Sequence, residues 1–135
     1  MRDFAENVVQ FNEIIINSPR PAKKMATEDQ MNFTIKCLTE EILEYGLAHK
    51  KGDYIGAIDA LIDLMYFAIG GLHRMGLTPD EMAECGRIVH ESNMTKKKGV
   101  VDRRATGEVG DAVKPAAWVS PETKMREYLG GRTWN

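Results

Sequence analysis

The chain has 135 residues, 43% of them hydrophobic and 28% charged, with a formal net charge of −2. That length carries one domain with a core of its own, and that composition excludes a disordered, collagenous or coiled-coil chain. Eighteen basic against twenty acidic residues provide no bulk attraction for nucleic acid.

Two cysteines, Cys37 and Cys85, are too few for a disulfide framework and read as reduced thiols. The opening MRDFAEN has acids where a signal peptide carries a basic and then an apolar region, so the expected location is cytoplasmic. The charge is unevenly spread. Residues 94–135 hold nine basic and five acidic side chains, a net +4, whereas the preceding residues sum to −6. An acidic body is followed by a basic tail.

The body reads as four helices. The first is expected from about Asp3 to Ile16, with Phe4, Val8, Phe11 and Ile15 at helical spacing. Asn17-Ser18-Pro19-Arg20-Pro21 breaks it, because proline cannot continue a helix. The second opens on the capping-box pair Thr27 and Gln30 and runs to about Lys50, where Lys51-Gly52-Asp53 turns the chain. The third spans about Tyr54 to Arg74 with Asp53 as its cap. The fourth starts at Thr78-Pro79-Asp80-Glu81 and ends near Asn93. Glycines and prolines then predict an extended or hairpin-like tail with a short helix over Pro121–Leu129. The short links predict an all-α, four-helix-bundle-like fold. Residues 1–98 are expected to form the helical catalytic domain and 99–135 a basic tail able to act as a lid.

The second and third helices carry the chemistry. At about 100° per residue, Glu44 lies roughly 40° from Glu40, and Glu41 about 100° from it. The main apolar stripe of Met31, Ile35, Leu38, Ile42 and Tyr45 lies opposite Glu40. Yet Phe33, Cys37, Leu47 and Ala48 bracket the acids, which predicts an acidic island on a second buried face. Between Ile55 and Leu72 the only charged residues are Asp59 and Asp63, one turn apart on one face. This run is long enough to consider a membrane span, but two central aspartates would cost about 2.5–3.5 kcal/mol each, so no membrane contact is expected.

Five carboxylates brought together repel unless compensated. The hard cations Mg²⁺ or Mn²⁺ supply that compensation, and buried Lys or Arg is the alternative. A di-iron centre would need Glu-x-x-His, which occurs nowhere in the chain. His49, His73 and His90 read as surface or satisfied residues.

Glu40-Glu41-Ile42-Leu43-Glu44 forms an EExxE motif followed by the aspartate-bearing helix. The pattern resembles the MazG-like all-α nucleoside triphosphate pyrophosphohydrolases. Val89-His90-Glu91-Ser92-Asn93-Met94-Thr95-Lys96 is similar to a VHxSNMxK segment of phage-type members, which also resemble phosphoribosyl-ATP pyrophosphohydrolases. Gly110, Lys114-Pro115, Trp118 and Pro121 match the order of their tail. The resemblance covers roughly residues 28–121. It departs at the second motif, usually ExxD, where Ala60 stands three residues before Asp63 and the acid, Asp59, comes one residue earlier.

The resemblance implies hydrolysis of a (deoxy)nucleoside triphosphate to the monophosphate and pyrophosphate, with a purine substrate such as dGTP favoured. It implies Mg²⁺ or Mn²⁺ on Glu40, Glu41, Glu44, Asp59 and Asp63, with Glu40 or Glu41 also taking the proton of the attacking water. Asn93, Lys96 and Lys114 would hold phosphate oxygens, and Asn12 on the first helix would read the base. The surplus apolar surface and the resemblance both predict a homodimer or homotetramer. The competing reading is a non-catalytic helical module that binds nucleotide or protein without turnover.

Overall fold

The computed structural model describes residues 1–99 and 111–130. Its elements in chain order are α1 (Arg2–Ile14), α2 (Glu28–Lys51), α3 (Tyr54–Arg74), α4 (Pro79–Met94), β1 (Lys97–Gly99), β2 (Asp111–Val113) and α5 (Pro121–Leu129). The fold is all-α but for one two-stranded ribbon, β1 antiparallel to β2. Gly110, one of the residues carrying the tail resemblance, lies outside the described residues.

The helix ends follow local chemistry. α1 stops two residues before the expected Ile16, and Asn17 then turns left-handed at φ 55°. Asparagine tolerates that conformation better than most residues. Thr27 Oγ1 accepts the Gln30 N–H at 3.2 Å, and the Gln30 side chain accepts the Thr27 N–H at 2.9 Å. This closes the capping box of α2. Gly52 ends that helix at φ 67°, and Asp53 then caps α3 through the Gly56 N–H at 2.9 Å. At α4, Thr78 Oγ1 accepts the Glu81 N–H at 3.1 Å. The Glu81 carboxylate does not complete a capping box there; it pairs with Lys23 at 2.8 Å.

Among the described residues two compact units divide the chain within α4, one over Met1–Met82 and the other from Ala83 onward. In the first, α2 and α3 form a helical hairpin and α1 packs on α3. Ala5, Val8, Cys37, Ala48, Ala60, Ile69, Leu77 and Met82 are buried. Phe4 and Phe11 of α1 meet Tyr66 of α3 edge-on, at 5.9 and 5.5 Å between ring centroids. His73 is fully buried, and its Nε2–H donates to the Ser18 carbonyl at 2.8 Å, which pins the segment after α1. His49 and His90 are exposed. Gly76 turns at φ 89° where Lys23 crosses, so a Cβ there would stand 2.8 Å from Lys23 backbone atoms.

The buried face of α2 differs from the sequence expectation. Met31, Ile35, Ile42 and Tyr45 of the main apolar stripe are exposed in the single chain, and the buried residues are Cys37, Glu41 and Ala48. The α3 hairpin partner docks on the side that carries Glu41. α3 is also less enclosed than expected, with Ile55, Ile58, Leu61, Ile62 and Met65 exposed. Among the described residues it is the one helix long and apolar enough to cross a membrane.

In the second unit, the last turns of α4 carry Arg87 between Glu84 and Glu91, three and four residues away. Hydrogen bonding to Arg87 holds the Glu84 carboxyl below its ordinary value. The ribbon pairs Lys97 with Val113, and Ser120 caps α5 through the Glu122 N–H at 3.3 Å.

Candidate active site

The α2–α3 hairpin carries five carboxylates from two sequence-distant motifs. Glu41 is the buried one, at 8% exposure. Asp63 is half-buried, and Glu40, Glu44 and Asp59 are exposed. Glu41 Oε2 is shut off from solvent and has no hydrogen-bond partner. Burial holds the Glu41 carboxyl above its ordinary value, and the charges of Glu44, Asp63, Asp59 and Glu40 push it further up. All four other acids therefore act electrostatically on Glu41. None of the five is in an ion pair among the described residues. Lysine or arginine does not compensate them there.

Among the described residues, no three His, Cys, Asp or Glu side chains are closed up in the arrangement that holds an ion. The donor set nevertheless fits a hard divalent cation. It consists of carboxylate oxygens, one of them buried and unpartnered, and three of its side chains are exposed and free to turn.

Beside this cluster lies a small apolar pocket of about 70 Å³. Phe11, Asn12, Phe33, Tyr66, Phe67 and Arg74 supply most of its wall. Asn12 is 5% exposed, and its amide Nδ2–H donates to the Val8 carbonyl at 2.9 Å. Arg74 stacks over Phe33 at 5.3 Å and donates from Nη2 to Thr34 Oγ1 at 3.0 Å, while its buried Nε is unpartnered. Burial lowers the Arg74 pKa from its ordinary value.

Two residues join the pocket to the acids. Tyr66 lines the pocket, and both burial and the Asp63 charge push its hydroxyl pKa up. Burial and the Glu40 charge raise the Cys37 thiol, and the Arg74 charge opposes them. Arg74 was not among the sequence candidates, because a cation in the last turn of a helix reads as a dipole partner. The signal was present in the spacing of Asp63, Phe67, Gly70 and Arg74, which places them on one face.

Asn12 and the five acids belong to the first unit, whereas Asn93, Lys96 and Lys114 belong to the second. Asn93 and Lys114 are exposed and Lys96 is half-buried. The Asn93 carbonyl accepts the Lys96 N–H at 3.0 Å, and both lysine ammonium groups lie against the Trp118 ring.

A helical hairpin with an EExxE turn facing an aspartate helix places the chain among the MazG-like all-α nucleoside triphosphate pyrophosphohydrolases. The family model described as phosphoribosyl-ATP pyrophosphohydrolase matches residues 8–93, more than half of the chain. The chain belongs to that family, whose chemistry is that of a nucleotide pyrophosphohydrolase. No curated protein matches the chain.

Proposed function

We propose that this protein hydrolyses a (deoxy)nucleoside triphosphate to the monophosphate and pyrophosphate. The observation that carries this reading is the buried, unpartnered Glu41 Oε2 among four further carboxylates. Glu40, Glu41, Glu44, Asp59 and Asp63 would hold Mg²⁺ or Mn²⁺. A bound cation of this kind neutralises phosphate charge and lowers the pKa of water at phosphorus.

The protein's own groups supply the rest. A carboxylate held above its ordinary pKa is a stronger proton acceptor, so Glu41, or its neighbour Glu40, takes the proton of the attacking water. Asn93, Lys96 and Lys114 hold phosphate oxygens, with lysine acting as a point charge. Asn12 and Arg74 read a base edge between aromatic walls. The guanidinium and the amide N–H offer donors for the acceptors of a purine edge such as that of dGTP, and the amide oxygen offers an acceptor for its N–H groups.

Exposed Ile42, Leu43 and Leu47 on α2 and Ile55, Ile58 and Leu61 on α3 support a homodimer or homotetramer in which a second copy covers this surface. The test is direct: each of the eight common nucleoside triphosphates with Mg²⁺ or Mn²⁺, assayed for pyrophosphate. Release from at least one deoxynucleotide, abolished by a chelator, is expected. Binding without turnover across all eight would favour the non-catalytic module.

A further inference from the structure

Lys96 and Lys114 meet at one end of the β1–β2 ribbon. The ladder pairs Lys97 with Val113, Lys98 with Ala112 and Gly99 with Asp111. One register step beyond Lys97 and Val113, the residues opposite each other are Lys96 and Lys114. Like charges directly opposite across two strands repel. Neither lysine has an ion-pair partner among the described residues. What the two share is Trp118, with Lys114 Nζ 4.3 Å and Lys96 Nζ 5.4 Å from its ring centroid. An indole face attracts cations within about 6 Å of its centroid, so one ring offsets the repulsion of both.

Trp118 is itself fixed. Its Nε1–H donates to the Ser92 carbonyl at 3.3 Å, and its backbone N–H donates to the Pro115 carbonyl at 3.0 Å. Ser92 Oγ donates in turn to the Val119 carbonyl at 3.2 Å. The ring is thus tied to the end of α4, four residues before the Lys96 it serves. A cavity of about 450 Å³ opens beside it, lined in part by Ile88, Ser92, Thr95, Pro115 and Pro121.

We propose that Trp118 is a positioning residue whose indole gathers Lys96 and Lys114 into a two-point clamp for an oligophosphate. This rests on the phosphate-holding role given to the two lysines above. A lysine stem has four rotatable carbons, and fixing two of them only when ligand arrives weakens binding. The ring fixes both beforehand. A triphosphate or pyrophosphate can engage both ammonium groups at once, whereas an isolated apolar ligand gains nothing from them.

Inorganic tripolyphosphate, titrated by calorimetry into the full chain at low salt without nucleotide, tests the clamp. Trp118→Leu should weaken binding about tenfold, and Trp118→Phe, which keeps an aromatic face, should weaken it less than about threefold. Trp118→Leu should add little further loss in a Lys96→Met/Lys114→Met background. A second readout needs no substitution at Trp118. In a Trp134→Phe background, where Trp118 is the only tryptophan, saturating tripolyphosphate should change its emission. That change should vanish with Lys96→Met/Lys114→Met.

Unaltered affinity in Trp118→Leu, equal losses in the Leu and Phe variants, an unchanging emission, or no tripolyphosphate binding by the wild type would each overturn the clamp. Pyrophosphate release from nucleotides, measured in parallel, separates the two readings. Trp118-dependent binding with no hydrolysis would sink the proposed function and leave the clamp, whereas hydrolysis indifferent to Trp118 would sink the clamp alone.

Discussion

Asp63 on α3 lies near enough to Glu41 on α2 for its charge to help hold the Glu41 carboxyl above the ordinary value. The two come from motifs more than twenty residues apart, and the α2–α3 hairpin brings them together. Glu41 has no cation to answer that charge among the described residues, so the fold carries an unfavourable arrangement in its most intimate helix pair. The proposed hydrolysis gives that arrangement a use.

Glu41→Gln therefore has two opposite effects. Turnover should fall by at least about a hundredfold, the contribution expected of a positioned acid–base group. Metal-free thermal stability should rise by a few degrees, because the amide removes a buried charge. The sign with pH follows from the raised value. Below the ordinary carboxylate pKa both folded and unfolded states are protonated, and the variant gains nothing. The gain grows as pH rises through the elevated folded pKa and is full above it. Unchanged activity at saturating Mg²⁺ or Mn²⁺ would refute the assignment, and melting curves at two pH values check the stability arm.

The pocket of Asn12 and Arg74 predicts a change in base choice. Asn12→Ala removes a buried amide next to a guanidinium whose Nε is unpartnered. The ratio of kcat/KM between purine and pyrimidine deoxynucleotides should shrink about tenfold, the worth of one lost polar contact. Competition assays with paired nucleotides measure it directly. An unaltered ratio with a uniform loss would assign Asn12 to helix packing through its Val8 bond.

Gly76→Ala should cost about 2–3 kcal/mol of stability. The added Cβ meets Lys23 backbone 2.8 Å away, and the φ of 89° is strained for any L side chain. The clash involves backbone, which cannot turn aside as a side-chain tip can. Denaturant titration should show the midpoint falling with the m-value unchanged.

Much of this was legible in the chain itself. The Thr27/Gln30 capping box, the Thr78 cap and the Asp53 cap all form, because a helix start depends on residues three apart. The five acids also stood out, since charge inside apolar helical runs needs a reason. The buried face of α2 did not, because that helix has apolar residues on two sides and only the docking of α3 selects one. The tail read as hairpin-like, and β1 and β2 do pair antiparallel, but the position and register of the ribbon did not show in the sequence. Its strands have three residues each, too short for a period, and are set by pairing across a long connection. Arg74 was hidden by its place in a last turn, and Glu81 by its switch from capping to Lys23.

The exposed apolar surface of the α2–α3 hairpin gives the last prediction. Leu47 is 54% exposed and Ile55 71% exposed, on either side of the turn at Gly52, and Ile42, Leu43 and Leu61 extend the surface along both helices. Large apolar side chains left this exposed on an isolated chain lead to the expectation that a partner covers them. A second copy offers the same residues, so a two-fold contact would cover both at once. Light scattering at micromolar concentration should give at least twice the chain mass. Leu47→Glu should return it to the monomer, because two like charges would then meet across the axis. The substitution should cost the single chain little, since the site is already open to solvent within it. Far-UV circular dichroism should therefore keep its helical signal while the mass halves. A wild-type chain that elutes as a monomer would remove the association surface, and with it the reason for so much exposed apolar area on the two helices that carry the acids.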